Sequence, residues 1–131
     1  MAQVLGRTNE IRELKKRVAM LSKNMEKLWS KKTGFYLNYR TDLKAPSPRL
    51  SPTLFYPLLA QLPSPKRARR MVKEHFDNPE EFAGEWILPS IARNDPTFAR
   101  QRYWKGAIWP PLNFLTYLSL RQYGFAKAHK E

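Results

Sequence analysis

The sequence of 131 residues contains no cysteine and only two histidines, His75 and His129. Without cysteine, the chain can form neither a disulfide scaffold nor a thiolate zinc site, and a cysteine nucleophile is excluded. Two histidines and 11 acidic residues leave little for a histidine-based metal site, so we expect neither a metal nor a cofactor. No apolar run approaches the roughly 18 residues of a membrane span. No signal peptide is recognisable either, and we expect a soluble, cytoplasmic protein without a membrane partner.

Acidic residues are scarce relative to basic ones, which number 24 and give a net charge of +13. Such a balance suggests an anionic partner such as nucleic acid. The charge is spread out, however: residues 1–32 carry +6, residues 77–99 carry −4 and residues 100–131 carry +5. This distribution favours a solvated positive surface, with nucleic-acid binding by a small basic helical protein as the alternative.

The chain is long enough for one domain, and its 7 Phe, 6 Tyr and 4 Trp argue against intrinsic disorder. Residues 1–7 are expected to form a frayed N-terminus, and Thr8 is a fair N-cap. The pattern beyond it predicts an amphipathic helix over 9–30 that stops at 31–34, with Gly34 in the left-handed position after the helix. Its apolar residues are spaced by three and four: Ile11, Leu14, Val18, Leu21, Met25 and Leu28.

Ser-Pro and Asn-Pro pairs mark the starts of three further helical pieces. Ser51-Pro52 predicts a short apolar helix through Leu62, and Ser64-Pro65 predicts a helix over 65–76. Asn78-Pro79 predicts a one-turn piece through Phe82. Segments 40–52 and 83–108 contain prolines without sustained periodicity, and both are expected to be loops. In the helix over 65–76, four residues face inward: Ala68, Met71, Val72 and Phe76.

The last clear helix is predicted over 109–123, with Gly124 as its cap, and residues 125–131 begin another. Apolar residues cover almost every face of this helix, which is normal only for a helix surrounded by protein. A narrow stripe of Asn113, Thr116 and Ser119 suits close helix packing or the wall of a polar pocket. Four or five helices cannot easily enclose it. We therefore expect part of a larger structure that exposes apolar surface and self-associates.

The densest aromatic patch lies at 103–111 and combines Tyr103, Trp104 and Trp109 with Gly106. Carbohydrate sites need such a combination, because sugar rings present apolar C–H faces to aromatic planes. Glycine would let the backbone approach a ligand closely. The alternative is that these aromatic side chains fill a core. No glycine-rich phosphate loop, metal-ligand cluster or Ser/His/Asp ordering is present.

The segment Tyr-Trp-Lys-Gly-Ala-Ile-Trp-Pro-Pro-Leu-Asn at 103–113 resembles the Tyr-Trp-Arg-Gly-x-Ile-Trp-x-x-x-Asn motif of glycoside hydrolase family 63. The similarity is greatest to the mannosylglycerate and glucosylglycerate hydrolase branch, which is related to the trehalases. Other family elements occur in the same order, and together the similar segments cover about residues 26–128. These elements are Leu28-Trp29 with Thr33-Gly34-Phe35-Tyr36, Phe55-Tyr56-Pro57-Leu58, and Asn78-Pro79-Glu80-Glu81-Phe82 with Leu88-Pro89-Ser90-Ile91.

The resemblance implies an all-α fold: one partial domain over 1–131, a fragment of the six-hairpin, (α/α)6 barrel. It also implies an inverting glycosidase that hydrolyses small α-glycosides such as mannosylglycerate or glucosylglycerate with one carboxylic acid and one carboxylate. The motifs of both catalytic carboxylates are missing from the 131 residues, so we expect this chain alone to be inactive. The substrate-binding residues implied are Tyr103, Trp104, Gly106 and Trp109.

Local carboxylates are poor substitutes for the missing pair. Glu85 and Asp95 flank the long loop, but Asp95-Pro96 is typical of a cap or turn. Glu80 and Glu81 lie at a predicted helix start, where the dipole favours anions. We interpret His75 as a surface residue on a basic helix. We therefore assign no catalytic residue within the chain.

Overall fold

A computed structural model of the protein describes residues 1–85 and 88–125. Helix α1 is Thr8–Glu26, α2 is Tyr56–Leu59, α3 is Pro65–Met71 and α4 is Pro110–Arg121. Short 3₁₀ segments occur at Pro52–Phe55 and Phe98–Arg100, and Val72–Phe76 forms a π-helical turn that continues α3. The strands are β1 (Trp29–Ser30), β2 (Phe35–Tyr36), β3 (Tyr39–Arg40) and β4 (Ala45–Pro46). In the described part no helix is long and apolar enough to span a membrane.

Helices therefore predominate, but the expectation of an all-α chain is corrected by two small antiparallel hairpins. In the first, β1 pairs with β2, with Trp29 opposite Tyr36. In the second, β3 pairs with β4, with Tyr39 opposite Pro46, inside the segment predicted to be a loop. The last predicted helix, from residue 125 onward, lies outside the described residues except for Phe125.

Helix α1 ends four residues earlier than predicted. Gly34 was predicted to lie directly after this helix, and that prediction was wrong. Thr8 is the first residue of α1, and no side chain caps this end. Beyond Glu26 the chain enters the first hairpin, and Gly34 occupies its turn with φ +67°. The left-handed conformation of Gly34 was predicted correctly, but this residue lies in a hairpin turn and not at a helix end. Residues 1–7 form turns through backbone hydrogen bonds such as that from the Leu5 amide to the Met1 carbonyl, 3.1 Å.

Two of the three proline-initiated helical pieces begin where the sequence predicts them, at Pro52 and Pro65. The Ser64 hydroxyl accepts a hydrogen bond from the Arg67 amide at 3.3 Å, which confirms it as the cap of α3. Ser51 occupies the N-cap position before Pro52, but its hydroxyl pairs with that of Thr53 at 2.7 Å rather than with a backbone amide. Residues 79–82 form turns rather than a helical piece, and the Asn78 side chain accepts from the Glu80 amide there.

The core lies between the first hairpin, α2, α3 and α4. Phe55 is fully buried, and its ring meets Phe35, Phe76 and Phe82 edge-on at centroid distances of 4.9, 5.9 and 5.5 Å. Beside this core, Arg67 lies over the Trp29 ring at 4.6 Å and bonds to Glu26 at 2.7 Å. Other buried members are Tyr36, Leu54, Leu58, Ala68, Met71, Val72, Leu88, Ala92 and Leu120.

Two helices leave apolar faces in solvent. Helix α1 has no buried residue, and Val18 is 62% exposed. Helix α4 buries one face through Leu112, Thr116, Ser119 and Leu120, while Phe114 on the other side is 60% exposed. The Thr116 and Ser119 hydroxyls donate to carbonyls one turn earlier, at 2.9 and 2.7 Å. The small-polar stripe therefore serves close packing of α4, one of its two predicted uses.

Candidate functional site

The aromatic patch forms a compact cluster at the tip of a tight turn before α4. Backbone hydrogen bonds join Arg102 and Lys105 in both directions, at 2.8 and 3.3 Å, and place Tyr103 and Trp104 at the tip. The Trp109 indole nitrogen donates to the Tyr103 carbonyl at 2.9 Å and folds the turn back onto the start of α4. We call Tyr103, Trp104 and Trp109 the aromatic cluster.

The rings of the aromatic cluster pack on one another rather than into the core. Trp104 and Trp109 are stacked with centroids 5.1 Å apart, and Tyr103 meets both edge-on at 5.4 and 5.2 Å. Tyr103 remains 66% and Trp104 46% exposed. Because Trp104 uses one face against Trp109, only its outer face is open to another ring. The alternative that these side chains fill a core is therefore wrong.

Gly106 is buried beneath the aromatic cluster and is the position where only glycine fits. Its φ is +106°, and an added Cβ would lie 2.6 Å from the Phe98 carbonyl oxygen. Its amide donates to the Ser90 hydroxyl at 3.1 Å. Gly106 therefore permits close approach of the chain's own backbone, whereas the sequence had suggested approach to a ligand.

Ser90 holds the turn in place, and the residue-by-residue reading of the sequence missed this role. Its buried hydroxyl accepts from Gly106 and donates to the Tyr103 carbonyl at 3.3 Å, and its amide donates to the Ala107 carbonyl. An isolated bridge between Pro89 and Ile108 extends this contact. The sequence did contain a signal for this contact, because the Leu-Pro-Ser-Ile segment and the Tyr-Trp-Lys-Gly segment both resemble elements of the same family.

Replacing Gly106 by alanine should disturb the site more than the same change at another left-handed glycine. We expect Gly106→Ala to lower the free energy of unfolding by about 1–3 kcal/mol, since the strained backbone and the contact with Phe98 add up. Gly124→Ala is the matched control, because its φ is +67° and nothing lies within 4 Å of its added Cβ. Urea unfolding of both variants gives the comparison. Equal losses would contradict the role of close packing under the cluster.

Three cations surround the exposed side of the aromatic cluster. Arg100, Arg102 and Lys105 line a hollow of about 470 Å³ together with Tyr103 and Trp104. Within the described ranges, none of the three has a carboxylate within ion-pair distance. Aromatic faces beside unpaired cations can bind a small polar molecule that carries an anionic group.

The local carboxylates are engaged elsewhere or lie in solvent. Asp95 accepts from the amide and hydroxyl of Thr97, at 2.8 and 2.7 Å, and lies 3.4 Å from Arg49. These contacts confirm the predicted turn. Glu85 is exposed. Across residues 1–85 and 88–125, no cluster of three or more metal-ligating side chains occurs.

The prediction that His75 lies at the surface was wrong. Its side chain is 6% exposed and stacks on Phe35 with centroids 4.2 Å apart. Its Nε2 is 2.7 Å from the Thr33 carbonyl, and its Nδ1 is 2.5 Å from a carboxylate oxygen of Glu81. Glu81 therefore serves this buried contact rather than a helix dipole. His75 and Glu81 therefore have a structural role, because they connect the first hairpin to the turn after α3.

Tyr36, a member of the core, has a phenol whose pKa is raised above the ordinary value. Burial raises the pKa of its phenol, although the hydrogen bond from Arg67 opposes this by stabilising the phenolate. Neutral Tyr36 is thus favoured in the folded state, and the associated stability is present below the normal tyrosine range and is lost at strongly alkaline pH.

The helical scaffold with its exposed aromatic turn is similar to domains of glycoside hydrolases. The family model described as "Mannosylglycerate hydrolase MGH1-like glycoside hydrolase domain" matches residues 1–131. The chain belongs to this glycoside hydrolase family. This confirms the resemblance to family 63 seen in the sequence motifs.

Among curated relatives, mannosylglycerate hydrolase from Thermus thermophilus is 36% identical over 107 residues, which are 78% of this chain and 24% of the relative. Mannosylglycerate hydrolase from Rubrobacter radiotolerans is 27% identical over 95% of this chain and 28% of its own length. The chain thus spans about a quarter of these relatives.

Comparison with solved structures finds similarity to the same kinds of protein. The crystal structure of the family 63 mannosylglycerate hydrolase from Thermus thermophilus in complex with glucose matches with a TM-score of 0.74 and 29% identity, covering 83% of this chain and 27% of that one. Neutral trehalase from Saccharomyces cerevisiae matches with a TM-score of 0.66 and 25% identity, covering 82% and 20%.

Proposed function

We propose that this chain forms one wall of the sugar subsite in an inverting glycoside hydrolase that acts on small α-glycosides such as mannosylglycerate or glucosylglycerate. The observation that supports this most directly is the exposed aromatic cluster with three unpaired cations beside it. Of the four substrate-binding residues that the resemblance implies, Tyr103, Trp104 and Trp109 line this wall, while Gly106 permits the tight turn that presents them. The relatives described above do not support the alternative of nucleic-acid binding, because they are glycosidases.

Each part of the cluster has its own task in this proposal. The outer face of Trp104 receives the C–H face of a sugar ring, while stacking on Trp109 holds the indole in place. Arg100, Arg102 and Lys105 bind the carboxylate of a glycerate group. Lysine offers a point charge rather than a planar fork, so Lys105 binds this group less selectively than the arginine usual in the family motif.

The Thermus thermophilus relative supports the choice of ligands. Its structures include a complex with glucose and a complex with Tris and D-glycerate. A sugar and a glycerate group are therefore the two halves of a ligand to test on this chain.

The helices of the chain form, in this proposal, part of an (α/α)6 barrel. The support comes from the TM-score of 0.74 over 83% of the chain and from the apolar faces that α1 and α4 leave exposed. Catalysis requires two carboxylates placed on opposite sides of the scissile bond. Asp95 is held in its turn and Glu85 is exposed, so this proposal assigns neither of them to the catalytic pair.

Substitution of Trp104 should weaken binding of glycosides that carry a carboxylate. We expect mannosylglycerate to perturb the tryptophan fluorescence of the chain, and Trp104→Ala to reduce its affinity about fivefold, because an aromatic contact of this kind is worth about 1 kcal/mol. Isothermal titration gives the affinities. Phe114→Ala, which removes an exposed ring on α4, serves as the control, and glycerol as the control ligand. Equal affinity of the Trp104 variant would rule out the aromatic cluster as the subsite.

The chain by itself should not hydrolyse glycosides. Incubation with mannosylglycerate, glucosylglycerate or trehalose is expected to release no sugar above the background, because the motifs of both catalytic carboxylates of the family are missing from the sequence. Product release followed by chromatography tests this. Turnover that survives repurification and disappears in Glu85→Gln or Asp95→Asn would contradict our assignment of no catalytic residue within the chain.

A further inference from the structure

The turn that presents the aromatic cluster places two positive charges directly opposite each other. Arg102 and Lys105 exchange both backbone hydrogen bonds, at 3.3 and 2.8 Å, and form an isolated antiparallel bridge. Residues paired in this way extend their side chains from the same face of the bridge. Like charges at directly opposite positions are destabilising, so the turn contains an unfavourable interaction that an uncharged residue at either position would avoid.

A third cation lies at the same place. Arg100 borders the hollow of about 470 Å³ together with Arg102, Lys105 and the rings of Tyr103 and Trp104. The residues that border this hollow include no acidic side chain, and no ion pair of the described residues involves any of the three cations. Within the described part of the chain, three positive charges thus converge on one open hollow without an anion to offset them.

These donors fit a phosphate monoester better than a carboxylate. A carboxylate offers two oxygens and one negative charge, which a single guanidinium fork can satisfy. A phosphate monoester offers three terminal oxygens and carries a charge of about −1.5 to −2 at neutral pH. Two arginine forks and one lysine ammonium match that number of oxygens and that charge. A bound phosphate also offsets the repulsion between Arg102 and Lys105.

We propose that the hollow binds a phosphate monoester carried by a sugar, with the sugar ring on the outer face of Trp104 and the phosphate among Arg100, Arg102 and Lys105. The inference rests on the sugar subsite of the proposed function and specifies its ligand further. Trp104 itself borders the hollow, so one small molecule can contact the indole with its ring and the cations with its phosphate. A glycerate carboxylate uses the same cations but leaves part of their charge unbalanced.

Three glucose derivatives that differ at a single carbon test this preference. Glucose, glucuronate and glucose 6-phosphate share one ring and present a hydroxyl, a carboxylate or a phosphate group outside it. Isothermal titration of the full chain at low salt, in a buffer without phosphate or sulfate, should rank their affinities in this rising order. At about pH 7.5 we expect glucose 6-phosphate to bind at least about tenfold more tightly than glucuronate.

The pH dependence of binding gives a signature that belongs to the phosphate. The second pKa of a phosphate monoester is about 6, so lowering the pH from about 7.5 to about 5 removes most of one negative charge from glucose 6-phosphate. Glucuronate keeps its single charge over this range. The hollow is bordered by arginine, lysine, tyrosine and tryptophan, types of side chain that do not titrate there. We therefore expect the advantage of glucose 6-phosphate to shrink several-fold at the lower pH.

Variants of the opposed pair connect binding with stability. Lys105→Gln should reduce the affinity for glucose 6-phosphate about fivefold and leave that for glucose unchanged. Without ligand it should melt about 2 °C higher than the unmodified chain, because the repulsion from Arg102 is removed. Lys105→Arg keeps the charge and should keep the preference for phosphate. Arg12→Gln is the matched control, because it removes one exposed positive charge from α1, outside the hollow. It should retain the preference and raise the melting temperature less.

Several results would overturn the inference. These are equal affinity for glucuronate and glucose 6-phosphate, a preference unchanged by pH or by Lys105→Gln, and a melting temperature of Lys105→Gln no higher than that of the control. If glucose and glucuronate bind without any preference for the phosphate, the sugar subsite stands and only this inference fails. If none of the three ligands binds, the sugar subsite fails as well.

A single-stranded oligonucleotide separates the remaining source of phosphate. Its phosphodiesters carry one charge each, and its bases can stack on an exposed indole. We expect it to bind more weakly than glucose 6-phosphate at equal concentration of phosphate groups. Tighter binding that is lost in Trp104→Ala would assign the hollow to nucleic acid instead.

Discussion

Replacing Phe55 by alanine should lower the free energy of unfolding by about 3–5 kcal/mol. Phe55 is fully buried and holds three other phenylalanine rings in edge-on contact. Its removal leaves a cavity that the 3₁₀ segment, α3 and the first hairpin cannot all close at once. A domain of this size has a total stability of about 5–15 kcal/mol, so the variant should be close to unfolding at room temperature.

Urea unfolding followed by circular dichroism measures this loss. Phe114→Ala is the matched control, because the same side chain on α4 is 60% exposed and its truncation should change stability by less than about 0.5 kcal/mol. If Phe55→Ala cost no more than the control, the core would not lie between the hairpin and α3 as described.

The helix starts were predictable from local chemistry. Ser64-Pro65 combines a side-chain acceptor with a residue that fits the first helical position, and both act within four residues. At Ser51 the same reasoning gave the correct start at Pro52, but the Ser51 hydroxyl pairs with the nearby Thr53 hydroxyl instead of a backbone amide. Such competition between neighbouring side chains depends on their geometry and cannot be read from the pair of residue types.

The sequence predicts a short extended piece over 35–39, which contains β2, but it does not predict the pairing of the first hairpin, because each strand has only two residues and β1 lies inside the predicted helix. Periodicity needs a longer segment, and the glycine after two lysines suits a helix end as well as a hairpin turn. The choice between them is made by distant contacts. Arg70 donates to the carbonyls of Lys31 and Lys32 at 2.8 and 3.3 Å, and His75 binds that of Thr33.

The position of His75 carried a signal that was available in the sequence. It lies three residues after Val72 and four after Met71, so it shares the inward face that the apolar residues define in the predicted helix over 65–76. Its polar character and its neighbour Glu74 suggested the surface instead. A buried polar side chain needs partners, and both partners, Thr33 and Glu81, lie far from it along the chain or beyond the helix.

The candidate site was predictable in composition but not in shape. Tyr103, Trp104 and Trp109 were recognised by their density and by similarity to the family motif. The stacking of the two indoles, which leaves a single open face, and the anchoring of the turn by Ser90 depend on tertiary packing. The family elements that recur in order are explained by this packing, because Leu-Pro-Ser-Ile and Tyr-Trp-Lys-Gly contact each other directly.

Substitution of His75 by alanine should lower the free energy of unfolding by about 3–5 kcal/mol, because it leaves the largely buried Glu81 carboxylate without its partner. It also removes the stacking on Phe35 and the hydrogen bond to Thr33. Glu81→Gln should cost much less, about 1 kcal/mol, because the amide can donate to Nδ1 while Nε2 continues to donate to the Thr33 carbonyl.

Glu80→Gln provides the control for this pair, since Glu80 is exposed and the change removes the same charge one residue away. Urea unfolding should rank the three variants with His75→Ala far below Glu81→Gln, and with Glu80→Gln close to the unmodified chain. Equal losses for Glu81→Gln and His75→Ala would show that the carboxylate charge, rather than the paired hydrogen bonds, stabilises the contact. A loss for His75→Ala no larger than that of the control would contradict the buried position of the imidazole between the hairpin and the turn after α3.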